Sequence, residues 1–332
     1  MIITKSPYRI SFFGGGTDYE NWFFEHGGAF LSLTINYFTY ITLRVKPAFQ
    51  EKKFRVLWRL SEEVESIDQI QHPIVREILN FYKYHDKGLD ISYIGDLPGG
   101  SGMGSSSAFT ASLLMAVHTE MKKKINPYDL ANLSYYIEKN KLKETVGIQD
   151  QIATSYGGFN NVIIEKNGEY KISPVNLSAS SLRAFIDRLV LVYTGKTRRA
   201  TAMAKKKVEN MSHKKQSYHT LQSMVSEAYE TLISNDFDNF GYMLNETWQI
   251  KKELSDSISN SAIDDLYNLG LKNGAIGGKL LGAGGGGFIL FLTKDGEKEN
   301  FVKKMNNFVS VPFELSSKGT EVIYNGDPIY HE

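Results

Sequence analysis

The first hundred residues carry the period-two alternation and the residue types of β-structure. Residues 37–45 are dense in β-branched and aromatic side chains, which favours a strand. Residues 89–94 alternate as a half-buried strand does, and residues 2–4 and 9–13 are shorter strand candidates. Around residues 74–82 the apolar positions recur every three to four residues, which predicts a helix.

Beyond residue 100 the helical period dominates. Residues 105–120 form one predicted helix, and a second begins at Pro127 and runs to about residue 141. Asn167-Gly168 between two apolar runs is typical of a hairpin turn. The rest of the chain predicts a strand at 189–193, mostly helix over 199–254, a helix at 262–271, a strand at 288–292, a helix at 297–308 and two last strands. We therefore predict an α+β fold with two domains, residues 1–185 and residues 186–332.

Composition narrows the function classes. The chain has 332 residues, no cysteine and a net charge of +1 from 38 basic and 37 acidic side chains. The lack of cysteine excludes a disulfide scaffold, a thiolate metal site and a cysteine nucleophile, and the charge balance argues against a strongly basic nucleic-acid binder. Because the N-terminus lacks a secretory signal and no apolar run approaches a membrane span, we expect a cytoplasmic protein that binds neither nucleic acid nor membrane.

Three glycine-rich segments carry the candidate chemistry, and the first follows the strand candidate at residues 9–13. It reads Gly14-Gly15-Gly16-Thr17-Asp18. Glycine permits positive φ and lets a ligand approach the backbone closely, and Asp18 is then placed to accept hydrogen bonds from hydroxyl groups. The alternative is a plain turn in which Asp18 caps the helix that follows.

The second segment lies between a predicted strand and a predicted helix. It comprises Pro98, Gly99, Gly100, Ser101, Gly102, Met103, Gly104, Ser105, Ser106 and Ser107. Its glycines let successive N–H groups converge on phosphate oxygens, and the helix N-terminus adds the positive end of its dipole. Since neither GxxxxGK[ST] nor a well-spaced dinucleotide motif is present, we predict a phosphate-binding loop of another type. A flexible linker is the alternative.

The third segment has seven glycines among residues 277–287, including Gly284 and Gly285. Ordering so many glycines costs much conformational entropy, which is reasonable where a ligand or another backbone passes very close. We expect this segment to border the phosphate site without forming it. The alternative is a tight β-connection packed on the core.

Two carboxylates and two arginines complete the candidate residues. Asp150 and Glu138, with Ser106, supply the oxygen ligands and the proton acceptor that Mg²⁺-assisted phosphoryl transfer requires. The alternatives are a cap or surface position for Asp150 and a solvent-facing position for Glu138. Arg198 and Arg199 lie in a basic run that is either a solvated helix face or a bidentate site for a substrate phosphate.

The three glycine segments, in this order and with the pattern PxxxGxGSSxA in the second, resemble the GHMP kinase superfamily, which includes galactokinase, homoserine kinase and mevalonate kinase. The resemblance covers residues 7–288, essentially the full chain. The GGGTD segment and the run GIQDQ at 147–151 look most like the sugar 1-kinases, with heptose 7-phosphate kinases and fucokinases among them. The resemblance implies the GHMP kinase fold, with an N-terminal domain like domain 2 of ribosomal protein S5 and a C-terminal ferredoxin-like α/β module.

The resemblance also implies roles for individual residues. Residues 98–107 would bind the phosphates of ATP, Ser106 and Glu138 would hold Mg²⁺, and Asp150 would be the catalytic aspartate, assisted by Arg9. The implied substrate-binding set is Gly15, Gly16, Thr17, Asp18, Gly147, Arg198, Arg199, Gly284 and Gly285. Galactokinase has Glu-His where this chain has Gly15-Gly16, which argues against galactose and leaves room for a bulkier sugar.

The implied reaction is ATP-dependent phosphorylation of the anomeric hydroxyl of D-glycero-D-manno-heptose 7-phosphate to the 1,7-bisphosphate, for nucleotide-activated heptose synthesis, by a monomer or homodimer. Three alternatives stay open. One is a fucokinase- or galactokinase-like sugar 1-kinase. The second is an isoprenoid-precursor kinase or decarboxylase, against which the GGGTD segment argues. The third is a non-catalytic sensor of sugar and ATP, against which an intact Ser106 and Asp150 argue.

Overall fold

Two β-sheets with flanking helices make up the part of the chain that the computed structural model describes, which is residues 1–47, 49, 52–197 and 208–326. The strands are β1 (Ile2–Phe13), β2 (Gly28–Lys46), β3 (Phe54–Leu57), β4 (Ser61–Val64), β5 (Gly88–Gly95), β6 (Phe159–Ile164), β7 (Tyr170–Pro174), β8 (Leu189–Tyr193), β9 (Ala275–Leu280), β10 (Phe288–Thr293), β11 (Ser310–Val311) and β12 (Glu321–Asn325). The helices are α1 (Glu20–His26), α2 (Pro73–Phe81), α3 (Ser105–Glu120), α4 (Pro127–Tyr136), α5 (Gln149–Tyr156), α6 (Ala179–Ile186), α7 (Lys215–Ile233), α8 (Phe237–Glu253), α9 (Ser261–Lys272) and α10 (Lys298–Lys304).

The first sheet is built around the long strand β2. β1 pairs with β2 in antiparallel register, from Ile2 opposite Leu43 to Phe13 opposite Leu31. β5 pairs with the second half of β2 and β6 with its first half, while β3 lies parallel to β5 and carries β4 at the edge. On the other edge β12 pairs with β1, so the last described strand returns to the first sheet.

The second sheet has the strand order β11-β8-β10-β9, and all its pairs are antiparallel. Every residue of β10 is buried, as its uninterrupted apolar run leads one to expect. An aromatic cluster joins the two sheets, because the ring of Phe12 on β1 lies 5.4 Å from that of Phe240 on α8 and 5.8 Å from that of Phe185 on α6. The predicted domain boundary at residues 185 and 186 falls at the end of α6, and it stays a prediction.

Helix α3 is the central helix of the first sheet. It begins and ends where the helical period predicts, but residues 107–114 are buried on every side because the helix packs against β1, β2, α4 and α5. The hydroxyl of Thr4 on β1 donates to the backbone carbonyl of Ser112 at 2.8 Å. The middle of α3 is therefore hydrogen-bonded directly to the sheet.

The predicted α+β class is confirmed. The strand candidates at 2–4 and 9–13 are parts of the one strand β1, and the strand predicted at 37–45 is the second half of β2. The short elements α1, α5, α6, β3 and β4 were not predicted. Within the described residues, no helix has the combination of length and apolar character that crossing a bilayer requires.

Candidate active site

The second glycine segment leads directly into the N-terminus of α3. Gly104 occupies the N-cap position with φ +76° and has no side chain with which to cap the helix. Arg9 on β1 donates its backbone N–H to the carbonyl of Met103 at 3.0 Å, which fixes the loop to the sheet. Free N–H groups and the positive dipole end at such an uncapped N-terminus favour phosphate oxygens.

Arg9 joins Asp150 to this loop. Its Nε and Nη2 donate to the two carboxylate oxygens of Asp150, each at 2.8 Å, and its Nη1 donates to the carbonyl of Gly102 at 2.7 Å. The arginine side chain is 5% exposed, whereas that of Asp150 is 28% exposed. A bidentate pair of this kind fixes the orientation of the carboxylate and leaves part of it accessible to a substrate.

The carboxylate of Asp150 lies beside the start of α3. A Cβ added to Gly104 would lie 3.5 Å from Asp150 Oδ2 and 3.3 Å from Arg9 Cγ. Strand β1, the glycine loop and the first turn of α5 therefore meet at one point. The sequence predicts that Arg9, the glycine loop and Asp150 lie close together, and in the structure they do.

Glu138 is also near this point, but it is buried and does not face solvent. It lies in a π-helical segment, Ile137–Lys141, that extends α4, and its side chain is 0% exposed. Its Oε2 accepts hydrogen bonds from Ser107 Oγ at 3.1 Å and from Gln151 Nε2 at 2.8 Å, whereas Oε1 has no partner. Burial raises the pKa of Glu138 to about 8. The side chains of Thr110 and Gln151 act in the opposite direction, and the negative charges of Glu144 and Asp150 act in the same direction as burial.

The residues around Glu138 fit a divalent cation. A buried carboxylate oxygen without a hydrogen-bond partner is rare, and a bound cation would both satisfy it and favour its ionised form. Among the described residues there is no cluster of three or more His, Cys, Asp or Glu that could hold a metal ion. A magnesium site does not require one, because Mg²⁺ is commonly held by one or two carboxylates together with substrate phosphates. Ser107 donates a hydrogen bond to Glu138, whereas the predicted metal ligand Ser106 is exposed.

Asp18 connects the first glycine segment to the segment that carries Asp150. Its Oδ1 accepts the N–H of Gly16 at 2.8 Å and its Oδ2 accepts the N–H of Gln149 at 3.3 Å. A Cβ on Gly147 would lie 2.0 Å from Asp18 Oδ2, so only glycine fits there. The carboxylate does not cap α1, whose N-cap residue is Tyr19.

The third glycine segment packs against the second. A Cβ on Gly282 would lie 2.4 Å from Gly102 Cα, which is closer than any side chain allows. Lys251 on α8 donates to the carbonyl of Gly282 at 2.7 Å, and Gly285 donates its N–H to the carbonyl of Ile258 at 2.9 Å. The segment borders the loop before α3, in agreement with the expectation from its composition.

Several residues of the site were not predicted from the sequence. Ser107 is in the predicted loop but was not linked to Glu138, and Gln151 was noted only as a neighbour of Asp150. Gln149 and Ser11 form a buried reciprocal pair, at 2.9 and 3.1 Å, for which the sequence contains no signal. The predicted phosphate ligands, Arg198 and Arg199, lie outside the described residues.

Family models match both parts of the chain. Residues 72–158 match the GHMP kinases N terminal domain and residues 228–311 match the GHMP kinases C terminal domain, which together cover about half of the sequence. This chain belongs to the GHMP kinase family. The first match contains the loop, Glu138 and Asp150, and the second contains α8, α9 and the third glycine segment.

Relatives of this GHMP kinase cover nearly all of it. A D-glycero-alpha-D-manno-heptose 7-phosphate kinase from Campylobacter jejuni is 28% identical over 322 residues, which are 92% of this chain and 93% of that protein. A bifunctional fucokinase/GDP-fucose pyrophosphorylase from Arabidopsis thaliana is 26% identical over 88% of this chain and 30% of its own length.

A solved structure confirms the GHMP kinase fold. The crystal structure of a D-glycero-D-manno-heptose 1-phosphate kinase from Bacteroides thetaiotaomicron matches with a TM-score of 0.81 at 23% identity, covering 98% of this chain and 100% of that one. Together with the family matches, this makes the protein a phosphotransferase with a hydroxyl group as acceptor. ATP is the phosphate donor in this family.

Proposed function

We propose that this GHMP kinase is a sugar kinase that uses ATP to phosphorylate the anomeric hydroxyl of D-glycero-D-manno-heptose 7-phosphate, giving the 1,7-bisphosphate for nucleotide-activated heptose synthesis. The observation that carries the proposal is the placement of Asp150 by Arg9 beside the uncapped start of α3. The names of the two heptose phosphate kinases among its relatives support the choice of sugar.

The mechanism assigns the loop of residues 98–107 to the donor and Asp150 to the acceptor. Backbone N–H groups at the start of α3 hold the phosphates of ATP, so the transferred phosphoryl group lies near the carboxylate. The exposed part of Asp150 orients the sugar hydroxyl and accepts its proton as the hydroxyl oxygen bonds to phosphorus and ADP leaves. Arg9 offsets the negative charge that collects there.

Glu138, with the hydroxyl of Ser106 or Ser107, supplies the oxygen donors that would hold Mg²⁺ next to the phosphates. Bound there, the cation would neutralise charge on the transferring phosphoryl group. The chain's own contribution is a buried carboxylate whose Oε1 is unpaired.

The sugar lies, in this proposal, against Gly15, Gly16, Thr17 and Asp18, with Gly147 on the far side of Asp18. Gly16 donates its N–H to the Asp18 carboxylate and Gly147 packs against the same group, so these residues lie together. Without side chains, Gly15 and Gly16 leave space for a seven-carbon sugar. Gly284 and Gly285 are proposed to border the substrate from the second sheet, and Arg198 and Arg199 to hold its distal phosphate.

A coupled ADP-release assay over a sugar panel tests the proposal. The panel contains heptose 7-phosphate, heptose 1-phosphate, fucose, galactose and mevalonate, and phosphorus NMR identifies the product. We expect turnover with heptose 7-phosphate and a new phosphate on the anomeric oxygen. Turnover with fucose alone would favour the fucokinase-like alternative, which the Arabidopsis relative supports. Sugar binding without ADP release would favour the sensor.

A further inference from the structure

We propose that Gln151 is a positioning residue for the metal carboxylate: it holds Glu138 so that one carboxylate oxygen is left for the cation. The inference deepens the proposed function and rests on it. It comes from an asymmetry at Glu138. The Ser107 hydroxyl and the Gln151 amide both donate to Oε2. The nearby Thr110 hydroxyl donates to the backbone carbonyl of Ser106, and Oε1 is left without a partner.

The two donors on Oε2 fix the rotation of the carboxylate. Ser107 Oγ approaches from α3 at 3.1 Å and Gln151 Nε2 approaches from α5 at 2.8 Å. Glu138 itself is 0% exposed, so water does not compete for either oxygen. Two donors from different helices hold Oε2 between them, and Oε1 is left without a partner.

Gln151 is suited to this role by its place in α5. It follows Asp150 in the first turn of the helix, and successive residues of a helix point about 100° apart. Asp150 therefore faces Arg9 while Gln151 turns towards Glu138. The first turn of α5 thus positions two carboxylates. It carries Asp150, which faces the acceptor, and through Gln151 it orients Glu138, which would bind the cation.

The chemistry of the amide also fits. Gln151 is 0% exposed, and its bond to Glu138 is the one hydrogen bond of its side chain among the described residues. An amide donates to a carboxylate without adding a charge that would repel a cation, as lysine or arginine would. Groups that orient a metal ligand in this way typically change metal affinity by about 10- to 100-fold when they are removed.

The test measures metal affinity separately from turnover. Mn²⁺ replaces Mg²⁺ as a spectroscopic probe, and electron paramagnetic resonance counts free Mn²⁺ during titration of the full chain saturated with AMP-PNP. Gln151→Met removes the donor at nearly constant volume. The matched control is Gln149→Met, because Gln149 is also buried in the same turn but pairs with Ser11. Isothermal titration with AMP-PNP in EDTA measures nucleotide affinity without metal.

We expect Gln151→Met to weaken Mn²⁺ binding by about 10- to 100-fold, with unchanged AMP-PNP affinity in EDTA, while Gln149→Met retains Mn²⁺ affinity. Equal Mn²⁺ affinity in Gln151→Met and the unmodified chain would overturn the inference, as would an equal loss in both variants. If Gln151→Met does not fold, Gln151→Asn, which keeps the amide but shortens its reach towards Glu138, must show the loss. Failure of the unmodified chain to bind AMP-PNP or Mn²⁺ would instead refute the proposed function.

Discussion

Replacing Asp150 by asparagine separates the chemical role of the carboxylate from its structural role. The amide keeps the shape and one acceptor oxygen for Arg9, but it has no negative charge and takes no proton from a sugar hydroxyl. Because the loop before α3 is built from backbone groups, we expect nucleotide affinity to remain close to that of the unmodified protein.

The magnitudes follow from the geometry. Positioned proton acceptors contribute about 10²- to 10⁴-fold to a rate, so kcat should fall by that factor, which corresponds to about 3–5 kcal/mol. Stability should fall less. Arg9 is 5% exposed and loses one of its two 2.8 Å hydrogen bonds to the charged carboxylate. A hydrogen bond to a charged group contributes about 1.5–3 kcal/mol. Because residue 150 is 28% exposed, water replaces part of the lost hydrogen bonding. We expect a loss of about 2 kcal/mol in the free energy of unfolding.

The assay is single-turnover ADP release with the best sugar of the panel, together with urea denaturation. Asp187→Asn is the matched control, because Asp187 pairs with Arg183 at a similar distance but both side chains are mostly exposed, at 49% and 63%. We expect that control to change stability by less than about 0.5 kcal/mol. If Asp150→Asn turns over at a rate near that of the unmodified protein, Asp150 is not the proton acceptor and the mechanism fails.

Three further outcomes are expected. Gly147→Ala should abolish sugar-dependent ADP release and lower the free energy of unfolding in urea by about 1–3 kcal/mol, since its Cβ would lie 2.0 Å from Asp18 Oδ2. Burial lowers the pKa of His72 from 6.5 to about 4. As the pH falls, the unfolded chain therefore binds a proton at this histidine before the folded chain does. Between pH 6.5 and about pH 4 this should lower the free energy of unfolding by up to about 3 kcal/mol. Urea titrations across that pH window should show a smaller loss in His72→Asn. Arg198→Ala and Arg199→Ala should raise KM for heptose 7-phosphate by about tenfold or more, and an unchanged KM in both would remove them from the phosphate site.

Much of the fold could be predicted because its long elements have strong periods. α3 was predicted with the observed bounds, and the hairpin at Asn167-Gly168 joins β6 and β7 as its turn residues indicate. α1, α5 and α6 have seven or eight residues each, too few for a helical period to stand out. The first half of β2 escaped prediction because its burial comes from β1 and β6, partners distant in sequence.

The residue composition predicted many of the candidate site residues but not the contacts between them. A glycine loop before a helix indicates phosphate binding because that chemistry is local. The pairing of Arg9 with Asp150 spans 141 positions, and nothing in the composition around either residue indicates it; it was expected only from the family resemblance. Glu138 was open to a solvent-facing interpretation because its neighbours in sequence are polar. Its burial depends on the π-helical turn and on contacts from α3 and α5.

The pairing of β12 with β1 affects how the protein is made. Ile2 lies opposite Asn325, so one edge of the first sheet receives its neighbour only after more than 300 further residues have been synthesised. Until then the nascent chain carries a row of unmatched amide and carbonyl groups along β1, which is the kind of edge that recruits other chains into aggregates. Contacts between such distant segments also form slowly. Fragments that stop before residue 321 should therefore aggregate, even though they contain both Arg9 and Asp150.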